Sequence, residues 1–144
     1  MCQVRVFGAD TKSTSIDFNR DIRPILSDNC FVCHGPDEKE RQAGLRLDQR
    51  GTATKAAESG AVPIVPGKVE ASELIKRVTS TDEATRMPPL KGKHKPLTAS
   101  QIELLRRWVA SGAEYSSHWA FKAPVRASVP SVDAARFRVR NEID

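Results

Sequence analysis

Apolar residues recur at helical spacing in three stretches of the chain and thin out between them. In the first stretch, Phe18, Ile22, Ile25 and Leu26 stand at i, i+4, i+7 and i+8, which is one face of a helix. Pro24 then belongs near the helix start, where its missing N–H matters least. The pattern runs on through Cys30 and His34 and stops at Gly35-Pro36, a C-terminal stop signal. A second helix is predicted from Val69 to Val78, with Ala71, Leu74, Ile75 and Val78 on one face. The third is marked most clearly. Thr98 to Gln101 matches a capping box, Ile102, Leu105 and Val109 form a face flanked by Leu104 and Trp108, and Gly112 closes it.

The stretches between are polar or aperiodic. Residues 1–16 read as a tail. Residues 37–68 read as a long, partly ordered loop, with Leu45 and Leu47 in a short extended segment and a helical turn expected from Ala53 to Ser59. A loop of that length calls for a reason, and wrapping a bound group is one. Residues 79–96 are proline-punctuated and hold Arg86, Met87, Pro88 and Pro89. The predicted organisation is therefore a tail (1–16), one mainly helical domain (17–115), and a linker leading into the start of a further domain (116–144).

Composition sharpens this picture in two ways. Hydrophobic residues make up 39% of the chain and aromatics 6%, modest for a core built from side chains alone and suited to one built around an apolar group. The formal net charge is +5, which favours acidic partners. No arginine stripe interleaved with aromatics and no nucleic-acid motif accompanies that charge, so nucleic acid is not an expected partner. No apolar run approaches the roughly 20 residues of a membrane-spanning helix.

The chemistry concentrates at Cys30-x-x-Cys33-His34. Two thiols at this spacing can each add across a vinyl group on one edge of a haem, and the histidine that follows can reach the iron. Two alternatives stay open on the residues alone. A zinc site would have to recruit His94 and His118, because there is no second CxxC. A redox dithiol would require a preceding strand in a βαβ setting. The third cysteine, Cys2, lies in the tail and has no assigned role.

A six-coordinate haem needs a second axial ligand. Met87 is the only methionine besides Met1, and it sits in a loop stiffened by Pro88 and Pro89, where a weak thioether–iron bond can be held. His94 competes, although its lysine-rich surroundings read better as a solvated basic loop that docks an acidic redox partner. His118 is read as a domain contact. Trp108 and Tyr115 are candidates for packing on the haem or for core burial, and Arg46, Arg86 and Lys91 are candidate propionate partners. Covalent haem attachment takes place outside the cytoplasm, so an extracytoplasmic or periplasmic location is expected, although Met1 to Gly8 has no signal-peptide pattern.

The order of these elements resembles a class I cytochrome c: helix, CxxCH, long loop, helix, methionine loop, C-terminal helix. A closer resemblance is to the planctomycete-type cytochrome c domain. It is carried by Phe18 to Leu26 leading into Cys30 to His34, then by Gly35 to Asp37, Gly44 to Asp48, Ile64 to Gly67, Ser72 to Ile75, Arg86 to Pro89, and His118 to Phe121. It implies a mainly α fold, a cytochrome c-like bundle of about three to four helices around one covalent haem c per chain. Cys30 and Cys33 would be the attachment points, with His34 and Met87 as axial ligands. The implied role is electron transfer by a non-catalytic redox module at the N-terminus of a larger exported protein, meeting redox proteins and its own C-terminal domains. Rival readings are the electron-accepting domain of a larger oxidoreductase and a gas-binding haem sensor.

Overall fold

Asp17 caps the first turn. Its carboxylate accepts the Arg20 N–H at 2.8 Å, and its own N–H donates to Asp21 Oδ2 at 2.8 Å, so two otherwise orphaned donors are satisfied. The computed structural model describes residues 15–90, 96–117, 120 and 123–124. Among these the fold is helical, with no strand. A π-helical turn (Phe18–Ile22) leads into α1 (Arg23–Asn29), α2 (Phe31–His34) and α3 (Arg50–Ala53). A 3-10 turn (Val69–Ala71) then precedes α4 (Glu73–Thr79), and α5 (Ala99–Ala110) follows.

The single first helix expected from periodicity is broken twice. In a regular α-helix the Pro24 ring would collide with the Arg20 carbonyl; the wider π turn, closed by the Arg23 N–H on Phe18 O, relieves that clash. The second break is at Cys30, whose φ of −127° leaves helical geometry. Just before it, Asn29 Nδ2 donates back to Ile25 O at 2.7 Å, a local bond that competes with helix continuation. The inward face survives both breaks, because Phe18, Ile22, Ile25, Leu26 and Cys30 are all buried.

The second predicted helix is also divided. Ser72, fully buried, separates the 3-10 turn from α4. Its hydroxyl donates to Lys68 O at 2.9 Å and accepts the Val65 N–H at 2.9 Å, stapling the Val65–Lys68 turn to the helix start. Leu74, Ile75 and Val78 face inward as expected, whereas Ala71 is exposed. The helical turn expected at 53–59 is α3 instead, one turn earlier, with Ala53 pointing inward and its carbonyl accepting the Ile64 N–H at 2.9 Å.

α5 has the predicted caps at both ends. Thr98 and Gln101 make the reciprocal capping box. At the other end the Ala113 N–H bonds Trp108 O and the Gly112 N–H bonds Val109 O, with Gly112 at φ +107°, which is the Schellman arrangement. The buried face is centred differently from the prediction: Leu105, Trp108 and Val109 are buried, while Ile102 is only half-buried.

Trp108 moves to the centre because it meets Phe18 and Tyr115, with ring centroids 5.7 and 5.2 Å away. Phe18 and Tyr115 complete the triangle at 4.4 Å. These rings join the π-helical turn to α5 and to Tyr115 beyond it, and the Gly67 N–H on Val109 O at 2.8 Å ties the middle loop to the same helix.

Candidate functional site

Beneath α2 and α4 lies a cavity of about 420 Å³, within the range of small-molecule and cofactor pockets. Its walls are mostly apolar. Leu45 and Leu47 come from the middle loop, Leu74 and Val78 from α4, and Pro88 and Pro89 from the segment before α5.

Cys30, Cys33, His34 and Met87 all line this one cavity. Helix α2 is what gathers the first three. The His34 N–H donates to Cys30 O at 2.8 Å, so one helical turn sets the two thiols and the imidazole together. The turn is then fastened from outside, by the Gln42 N–H on Cys33 O and the Leu47 N–H on His34 O, both at 2.8 Å. Gly35 ends the helix because nothing larger fits; a Cβ there would lie 2.2 Å from Phe31 O.

Met87 arrives from a different part of the chain. Its N–H donates to Arg77 O at 3.1 Å, which fastens it to α4. The peptide that follows, Met87–Pro88, is cis. Pro88 is buried and Met87 half-buried.

Burial sets the electrostatics of the site. Burial, reinforced by the neighbouring Cys33, pushes the Cys30 thiol up to about 12. The chain before Cys30 is helical where the βαβ setting of a redox dithiol would place a strand. Burial holds the His34 imidazole below its ordinary range; the Arg77 charge adds to this, and the Gln42 main chain opposes it. His34 Nδ1 is buried without a hydrogen-bond partner. A neutral, partly desolvated imidazole is the form that ligates a metal.

Among the described residues no three His, Cys, Asp or Glu side chains are grouped to hold a metal ion. The zinc reading rests on His94 and His118, which lie outside the described residues, as do Cys2 and Lys91.

Several sequence candidates stand elsewhere. Trp108 Nε1 donates to Glu114 O and Tyr115 Oη to Leu47 O, both at 3.0 Å, so the two rings serve the core and do not line the cavity. Arg46 pairs with Asp48 at 2.5 Å, and Arg86 donates to main-chain carbonyls; neither lines the cavity. Conversely, Gln42, Glu73 and Arg77 do line it and were not anticipated. The Glu73–Arg77 pair, 2.9 Å apart, was visible only as an i, i+4 spacing of opposite charges, a pattern that usually marks a solvated helix face.

Residues 30–91 match the family model described as planctomycete cytochrome C. Over that stretch, which is less than half of the chain, the sequence is similar to a planctomycete-type cytochrome c domain. The matched span opens on Cys30 and takes in His34 and Met87, leaving α1 and α5 outside it. No curated protein and no solved structure matches the chain. A planctomycete-type cytochrome c domain implies covalently bound haem and haem-based electron transfer in general terms. The residues of the cavity fit such a group: two thiols one helical turn apart, a neutral imidazole with an orphaned nitrogen, a thioether, and apolar walls. No helix among the described residues is long and apolar enough to cross a membrane.

Proposed function

We propose that this domain is a mono-haem electron carrier, with haem c held by thioether bonds to Cys30 and Cys33 and by His34 and Met87 as axial ligands. The observation that carries the reading is the convergence of these four side chains on one apolar cavity, although Met87 is remote from the others in sequence. When bound, haem c supplies a reversible one-electron Fe(II)/Fe(III) couple.

The chain's own residues do the rest. Cys30, buried at the α1–α2 junction, and Cys33, one turn on, fix the attachment edge. His34 presents a neutral imidazole, and Met87 a soft, uncharged sulfur that favours the reduced state relative to a second histidine. Leu74, Val78 and Pro88 give the cavity apolar walls, and an apolar shell around a bound haem limits solvent access to it. Trp108 and the α5 caps hold the frame away from the chemistry.

The domain acts as a redox module rather than a catalyst, in an extracytoplasmic setting, with an acidic redox protein as partner and with the chain beyond residue 115 leading to further domains. The positive net charge supports the choice of partner. The test is an absorption spectrum of chain produced together with haem-attachment machinery, oxidised and then reduced. Haem that resists acid–acetone extraction, with a sharp reduced α band and a far-red charge-transfer band when oxidised, is the expected result. The α band without the far-red band removes Met87 as ligand. Extractable haem, or none, overturns the reading.

A further inference from the structure

Two arginine forks close on main-chain carbonyls beside the cavity, one next to each candidate axial residue. Arg41 donates from Nε to Gly35 O at 3.1 Å and from Nη2 to Pro36 O at 2.8 Å, immediately after His34. Arg86 donates from Nε to Ser80 O at 2.9 Å and from Nη2 to Thr81 O at 2.8 Å, and it directly precedes Met87. Both side chains are half-buried, and neither lines the cavity. We propose that Arg41 and Arg86 are positioning residues, each bracing the ligand beside it, and that the Arg86 brace decides whether Met87 stays on the iron. The proposal rests on the assignment of His34 and Met87 as ligands.

The two ligands need bracing to different degrees. His34 sits inside α2, where its backbone is already held by the helix and by Leu47. Met87 has no such element around it. The segment from Ser80 to Arg86 folds on itself, through the Ser80–Thr85 hydroxyl pair at 2.7 Å and the Arg86 N–H on Asp82 O at 2.9 Å. It is joined to α4 at one end by the chain and at the other by the Met87 N–H on Arg77 O. The Arg86 fork closes this loop across the carboxyl end of α4, where a cation meets free carbonyls and the negative end of the helix dipole. A guanidinium can hold two carbonyls at once in a plane; a lysine ammonium cannot reproduce that geometry. A thioether–iron bond is weak, so it depends on its loop staying shut.

The test compares wild type, Arg86→Ala, Arg86→Lys and Arg41→Ala in the full chain with haem attached. It reads hydrogen exchange at single amides, the far-red band, and the affinity of added imidazole for the iron. In Arg86→Ala the Met87 amide is expected to exchange at least about tenfold faster, the far-red band to weaken, and imidazole to bind more tightly. The reduced α band and resistance to extraction should not change. Arg86→Lys should fall between. Arg41→Ala should speed exchange at Gln42 and leave Met87 and the far-red band as in wild type.

Unchanged Met87 exchange and an unchanged band in Arg86→Ala overturn the proposal, as does an equal effect from Arg41→Ala, which would mean general loosening. A wild-type protein that holds haem but shows no far-red band removes Met87 as ligand and the Arg86 role with it. That failure is read from wild type alone, so it is distinct from failure of the brace.

Discussion

Replacing Gly35 by alanine puts a methyl group into the turn that carries the site. The added Cβ would lie 2.2 Å from Phe31 O and 2.9 Å from Phe31 C. Both are backbone atoms, so no side chain can swing away and the last turn of α2 must move. That turn contains Cys33 and His34, and it is fastened by Gly35 O to Arg41, His34 O to Leu47 and Cys33 O to Gln42. Overpacking against fixed atoms costs about 1–3 kcal/mol, and losing one fastening bond adds roughly 1 kcal/mol. For a domain of this size each kcal/mol lowers the melting temperature by about 4–8 °C. The variant should therefore melt at least about 8 °C below wild type by circular dichroism.

Gly51 supplies the control. It lies inside α3, is exposed, and a Cβ added there would meet nothing within 4 Å. There alanine only removes backbone freedom, so Gly51→Ala should be neutral or stabilising by up to about 1 kcal/mol. A Gly35→Ala protein melting within about 2 °C of wild type would falsify the steric argument, since the turn would then have yielded at almost no cost.

Four further outcomes follow from the core, a cap and the thiols. Trp108→Ala removes a ring 1% exposed that contacts Phe18 and Tyr115, and should cost about 3–5 kcal/mol in urea unfolding; a loss below about 1 kcal/mol would mean the aromatic triangle is not part of the core. Thr98→Ala breaks the capping box of α5 and should cost about 0.5–2 kcal/mol, with Thr98→Ser close to wild type, in the same assay. In chain with free thiols, iodoacetamide at pH 8 should modify half-buried Cys33 before buried Cys30, as read by mass spectrometry of the peptides. Because burial raises the Cys30 thiol from 9.0 to about 12, the folded state keeps that proton longer than the unfolded state does. The same free-thiol chain should thus lose stability as pH climbs through that window and hold it below. Equal modification rates, or stability that rises between pH 9 and 12, would contradict the burial of Cys30.

Local signals along the chain determined a good deal of this protein. The Thr98–Gln101 box and Gly112 marked both ends of α5, since a cap is a contact among residues three to five apart. The CxxCH spacing brought two thiols and an imidazole onto one helical turn for the same reason. Other features left no mark on the hydrophobic pattern. The break at Cys30 accompanies the Asn29 amide bond to Ile25 O, the division at Ser72 its hydroxyl bonds with Val65 and Lys68, and the displacement of the helical turn to Arg50–Ala53 the Ile64 N–H on Ala53 O. Hydrophobic periodicity is blind to such bonds, because it registers which face is buried and not whether the helix carrying it is continuous.

The same division runs through the candidate site. Elimination among methionines singles out Met87 as a candidate, whereas its place in one cavity with His34 depends on α4, whose Arg77 carbonyl holds the Met87 N–H. Arg86 and Arg46, read as propionate partners from their charge, turned to nearer carbonyls and carboxylates. Arg77 and Glu73, unremarked in sequence, form the charged part of the cavity wall. A side chain's charge is written in the sequence. Which partner satisfies it depends on what the packed chain brings within about 3 Å, and only the tertiary structure decides that.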